Sequence, residues 1–170
     1  MSAASQTANP RTSRLQGHFA RQLLGIWALV SYVNEQSGKE DAHPFGPEPQ
    51  GFLIYTPDGF VSAQLMKPGR PIFSSSDWHN ATPEEYQASG SGYIAYCGIY
   101  EVDEDHATVT HIPSVSLLPN LIHGRQRRSI DLEGDRLVLR AQTLVAEGVY
   151  VTSRLEWKRV TINLLASHSE

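Results

Sequence analysis

The chain contains a single cysteine, Cys97. One thiol excludes an internal disulfide and a cysteine-rich zinc site. No run of about 18 apolar residues occurs, so no membrane-spanning helix is expected. Positive charge is scarce: 14 Lys and Arg stand against 18 Asp and Glu, a net charge of -4. That balance excludes the basic footprint of a nucleic-acid binder. The histidines show no i, i+4 or close paired spacing, so no protein-made metal site is expected. G-x-S-x-G, P-loop and G-x-G-x-x-G patterns are all missing.

What is present suits one globular domain. The 170 residues are 40% hydrophobic and 19% charged, ordinary composition for a chain that buries a core without staples. Acidic residues are absent until Glu35. Residues 1–14 lack the apolar core of a secretory signal. The acid-free N-terminal composition, with Arg11, Arg14 and Arg21, resembles a mitochondrial transit peptide, but a disordered leader followed by a short helix is the plainer reading. A cytoplasmic location is therefore expected. The barrel domain is placed at 15–162 and a flexible tail at 163–170. Leu15, Phe19 and Leu23 form one apolar helical stripe, suited to plugging an open end of the domain. The sequon Asn80-Ala81-Thr82 is expected to stay bare.

From Gly25 the pattern becomes that of strands at short intervals. Runs at 26–33, 52–55, 60–65, 93–102, 108–118, 125–132, 136–141 and 149–160 are rich in β-branched and aromatic residues. Thr56-Pro57-Asp58-Gly59 and Glu133-Gly134-Asp135 mark tight turns between neighbouring runs. Thr82-Pro83-Glu84-Glu85 starts one short helix, with a hydroxyl cap and proline at the first position, and Gly90 and Gly92 end it. Long connections at 42–51 and 67–80 suggest one decorated end, the mouth. Sequential strands of this kind close most simply as an all-β, eight-stranded antiparallel up-and-down barrel, which removes exposed edges. A sandwich is the alternative.

Gly25-Ile26-Trp27, just after the helical plug, resembles the G-x-W of lipocalin and calycin barrels. Longer matches resemble the bacterial and fungal lipocalin-like domain family. They include Leu24-Gly25-Ile26-Trp27, Pro44-Phe45-Gly46-Pro47, 51–59, Gln64-Leu65-Met66, 93–100, Thr110-His111, Pro119-Asn120 and 134–137, and together they span about 24–159. The chain departs from the family pattern at Arg125, where a small Thr usually stands. The resemblance implies an eight-stranded barrel with a ligand cavity. It also implies that Trp27 packs across the closed end beneath an Arg from near the chain's end, Arg154 or Arg159. Members look like small-molecule binders, and some lipocalin-like proteins act as isomerases or cyclases.

Alternation assigns faces. Placing Glu101 in water turns Tyr96, Gly98, Tyr100 and Val102 inward. Placing Thr108 and Thr110 outward turns Val109, His111, Pro113 and Val115 inward on the next strand, and on the one after Gln126, Arg128, Ile130 and Leu132, opposite Arg127, Ser129 and Asp131, are the inward set. Tyr55 and Gln64 are expected to join them. Arg128 has no acid in these inward sets. It must either meet a ligand carboxylate, enolate or carbonyl, or snorkel to the rim. His111 is either a proton-transfer group or a neutral imidazole bonded to a tyrosine hydroxyl.

Three functions are compatible with these residues. The first is a cofactor-independent cyclase or isomerase of secondary metabolism, acting on a hydrophobic, oxygenated polyketide or terpenoid. There His111 moves the proton, and Arg128, Tyr96 and Gln126 hold an enolate oxygen, with Tyr55, Gln64 and Tyr100 around the ligand. The second is a non-catalytic carrier of a small apolar ligand. The third is a haem-binding barrel with an axial histidine. Neither of the first two needs a cofactor or metal. The partner expected is a small hydrophobic molecule, and a homodimer is left open.

Overall fold

Turn chemistry sets the chain reversals. In Thr56-Pro57-Asp58-Gly59 the Gly59 backbone takes φ 87°, a left-handed value that a side chain resists. The Thr56 hydroxyl accepts from the Phe60 amide at 3.1 Å. The computed structural model describes residues 17–144 and 149–161. The expected leader, the expected tail and Leu15 lie outside the described residues.

The elements are helix α1 (His18–Leu23), β1 (Gly25–Glu35), β2 (Gln50–Tyr55), β3 (Phe60–Met66), helix α2 (Pro83–Ser91), β4 (Tyr93–Asp103), β5 (Thr108–Ser116), β6 (Gln126–Glu133), β7 (Arg136–Leu144) and β8 (Tyr150–Arg159). Each strand pairs with its sequence neighbour, and β1 also pairs with β8, closing an antiparallel barrel of eight strands. The sandwich alternative is thereby excluded. The capping box expected at α2 is formed: the Thr82 hydroxyl accepts from the Glu85 amide at 3.3 Å. The Glu85 carboxylate accepts from the Thr82 amide at 2.8 Å.

One end is closed by α1. Ala20 and Leu23 are fully buried. The Glu104 carboxylate accepts from the Phe19 and Ala20 amides, both at 2.9 Å, which favours the start of the helix. Below it, Trp27 donates its indole N–H to the Leu23 carbonyl at 2.8 Å. The Arg159 guanidinium lies 4.1 Å from the centre of the Trp27 ring. It also donates to the Leu24 and Gln22 carbonyls at 2.8 and 2.7 Å. Arg159 is thus the arginine over Trp27. Arg154 is engaged elsewhere, paired with Glu35 at 2.6 Å.

Two bulges change the alternation. In β1 the register shifts between Leu29 and Ser31, so that Leu29 faces Trp157 and Tyr32 faces Leu155. Val30 is pushed into solvent and Tyr32, rather than Ser31, enters the interior. The second shift lies between Cys97 and Gly98 on β4, opposite β5. A Cβ at Gly98 would collide with the Ile112 carbonyl oxygen, so only glycine permits this approach. Beyond the bulge the phase of β5 inverts, and Val115, expected to face inward with His111, is 64% exposed.

Candidate functional site

Register brings the polar inward residues into one layer. His111 on β5 stands opposite Tyr100 on β4 and Gln126 on β6. Arg128 comes two residues along β6, opposite Val109. His111 is completely buried. Its Nε2 lies 2.6 Å from the Tyr55 hydroxyl and its Nδ1 lies 2.8 Å from the Tyr96 hydroxyl.

The protons can be placed by counting partners. A neutral imidazole donates from one nitrogen and accepts at the other. Tyr55 is 1% exposed and His111 is the partner found for its hydroxyl among the described residues. Tyr55 therefore donates to Nε2, because the other tautomer would bury its hydrogen unpaired. The Nδ1–H then donates to the Tyr96 oxygen. This leaves the Tyr96 hydrogen for another acceptor, and Tyr96 lines a cavity. Bonds in such a chain polarise one another and strengthen the last donor.

The electrostatics keep the relay neutral. Burial pushes the His111 imidazole well below its ordinary value, and the Arg128 charge pushes the same way. Burial raises the Tyr55 and Tyr96 phenols against the opposing pull of Arg128. Burial also lifts Tyr100 to about 12. Near neutral pH all four groups are uncharged.

The cavity measures about 130 Å³ and lies at the end of the barrel opposite α1. Tyr32, Tyr96, Gln126, Arg128, Thr143 and Trp157 contribute to its wall, with leucines between them, and no Asp or Glu lines it among the described residues. The size is close to the ~150 Å³ of an apolar cavity that takes benzene, and below the ~300 Å³ where drug-sized pockets begin. Arg128 is half-buried, donates to the Gln126 main-chain carbonyl at 2.7 Å, and lies 6.0 Å from the centre of the Tyr96 ring. No carboxylate pairs with it among the described residues. A guanidinium beside an acid-free cavity favours a ligand oxygen carrying negative or partial negative charge.

His111, Tyr96, Arg128 and Gln126 are brought together at the cavity. Tyr55 sits behind His111. Tyr100 packs edge-on against Tyr55, ring centres 4.8 Å apart, and donates to the Thr56 carbonyl at 3.0 Å. Both stand away from the cavity wall and support the relay from below. Gln64 is elsewhere. On β3 the inward residues are Val61, Ala63 and Leu65, so Gln64 faces out, where it accepts from the Tyr93 hydroxyl at 2.6 Å. Reasoning from sequence misses Tyr32, Thr143 and Trp157. Trp157 was open to it: Leu155 and Trp157 alternate with Arg154, Glu156 and Lys158.

A closed barrel with a polar-ended interior cavity defines a small-ligand-binding protein. The chain belongs to the lipocalin-like domain family, whose model matches residues 24–160. It is also 32% identical over 107 residues to the 4'-hydroxy-3'-methoxypropiophenone carrier protein ppsC of Aspergillus oryzae. That match covers 59% of this chain and 96% of the relative. Among the described residues no helix is long and apolar enough to cross a membrane.

Proposed function

We propose that the barrel binds and carries a one-ring aromatic bearing an acceptor oxygen. The ring lies among the cavity's leucines, and the oxygen accepts from the Tyr96 hydroxyl with Arg128 beside it. The observation that carries this reading is the relay from Tyr55 through His111 to Tyr96, which ends on a cavity of one-ring size. The 4'-hydroxy-3'-methoxypropiophenone in the relative's name has this chemistry: one ring with a ketone and further oxygens. Calorimetric titration with that compound, with chromatography of the recovered ligand, tests the proposal. Saturable one-to-one binding with the ligand recovered unchanged is expected. Absence of binding, or conversion of the compound, would contradict it.

A second reading keeps the barrel as an isomerase or cyclase of secondary metabolism. It is favoured by the same relay, since Tyr96 could pass a proton between ligand and imidazole. Against it, both His111 nitrogens are already bonded, and burial weakens the imidazole as a base. A one-ring volume also leaves little room to fold an extended chain for ring closure. If this reading held, His111→Ala would lower turnover about a hundredfold or more. The haem alternative fits least, because the macrocycle greatly exceeds this cavity and His111 offers no free nitrogen.

A further inference from the structure

Arg128 carries the only permanent charge on the cavity wall among the described residues. Three observations place its guanidinium at the cavity. The residue lines it. The guanidinium carbon stands 6.0 Å from the centre of the ring of Tyr96, another wall residue. Its charge also reaches the buried groups beside the cavity, opposing protonation of His111 and favouring ionisation of Tyr96. The ionisable groups that share the wall with it are Tyr32 from β1, Tyr96 from β4 and His111 from β5, while β7 and β8 present only uncharged side chains there. The acids of the neighbouring strands lie on the outside of the barrel, each with its own cation: Glu101 with Arg125, Asp103 with Arg127 and Asp131 with Arg140.

Half-buried, the guanidinium keeps part of its hydration until a ligand arrives. A ring that fills the cavity takes that water away. A neutral ring would leave the cation covered and uncompensated, which is costly. An oxyanion on the ring supplies the missing charge and makes charge-assisted bonds. The count of hydrogens points the same way. The Tyr96 hydroxyl and the guanidinium both donate at this corner, so an oxygen without a hydrogen of its own fits, and a protonated one brings a hydrogen too many.

We infer that the cavity binds its ring as an oxyanion, a phenol acidified by a conjugated carbonyl, with Arg128 as the group that selects the charge. This rests on the binding reading above and narrows the ligand class. On binding, the phenol O–H bond breaks, its electron pair stays on the oxygen, and the proton goes to solvent. His111 does not take it, because its Nε2 is already closed by the Tyr55 hydroxyl. In a para-hydroxy ketone the negative charge is shared between both oxygens, so whichever one meets Tyr96 reaches Arg128 as a partial anion.

The test separates this inference from the binding reading it rests on. Titrate the full chain with para-hydroxyacetophenone and with para-methoxyacetophenone, which has nearly the same shape and no acidic hydrogen. Work at about pH 6.5, where the free hydroxy compound is a neutral phenol. Its phenolate absorbs at longer wavelength than the phenol, clear of the protein's own aromatic bands. The expected result is the phenolate spectrum on binding, with a proton released in calorimetry across buffers of different ionisation heat. Affinity for the hydroxy compound should rise about tenfold per pH unit until the free compound itself ionises, and then level off. Affinity for the methoxy compound should not change over that range. Arg128→Met should bind the hydroxy compound as the neutral phenol, and Arg128→Lys should restore the phenolate spectrum. If the hydroxy compound binds as the neutral phenol, if only the methoxy compound binds, or if Arg128→Met keeps the phenolate spectrum, the inference is overturned and the binding reading stands. If neither compound binds, both fall. The wild-type spectrum decides the matter even if the variants fail to fold.

Discussion

The Tyr96 hydroxyl lies 2.8 Å from Nδ1 of His111, on the cavity side of an imidazole whose Nε2 is already closed by Tyr55. A histidine held from both sides in this way orients a phenol. Its neutrality lets it accept from one tyrosine and donate to the other, and on the binding proposal the second tyrosine's hydrogen is what a ligand meets.

Tyr96→Phe removes that hydrogen and keeps the ring. Affinity for para-hydroxyacetophenone should fall about tenfold, the equivalent of one neutral hydrogen bond near 1.4 kcal/mol. Thermal stability should change little, because the exposed Nδ1–H can bond to water in the cavity. Calorimetry and a melting curve on the same sample check both halves.

Arg128 is half-buried and no acid pairs with it among the described residues, so on the binding proposal it is a burden to the empty barrel and an asset to the filled one. Arg128→Met should leave the melting temperature unchanged or raise it, and should weaken oxygenated ligands more than hydrocarbons. A large loss of stability in urea unfolding would show instead that its bond to the Gln126 carbonyl is structural.

Stability should fall as the medium is acidified below the ordinary histidine range. The folded His111 titrates well below 6.5. Between that lowered value and about 6.5 the unfolded chain holds a proton that the folded chain does not. Stability therefore rises with pH there, by about 1.4 kcal/mol per pH unit, and this contribution levels off above about 6.5. His111→Gln should be less stable at neutral pH and should lose this slope. Urea unfolding at several pH values, wild type against variant, isolates the effect from other groups.

Arg159 fastens the closed end through two main-chain carbonyls and the Trp27 ring. Arg159→Met should cost about 2 kcal/mol of unfolding free energy. Ligand affinity should stay within twofold, since Arg159 belongs to the end opposite the cavity. Denaturant unfolding beside a binding titration checks the separation.

Much of this was legible in the sequence because turns and alternation are local. Gly59 and Gly134 marked chain reversals, and Glu101, the Thr108 and Thr110 face and Asp131 showed which faces met water. That was enough to turn Tyr96, His111, Gln126 and Arg128 inward. The bulges were not legible. Gly98 reads as an ordinary strand glycine until β5 is seen pressing against it, and the resulting slip sent Val115 outward. The slip at Val30 turned Tyr32 inward by the same means. The outward position of Gln64 was legible as well: Ser62 and Gln64 alternate cleanly with Val61, Ala63 and Leu65 on β3, and that alternation turns Gln64 away from the interior.

The most direct measurement is a crystal structure of the protein with saturating para-hydroxyacetophenone. One ring is expected in the interior cavity, with one of its oxygens within hydrogen-bond distance of the Tyr96 hydroxyl. A cavity left empty, or a ring whose oxygens all point to the mouth, would contradict the relay as the ligand's anchor.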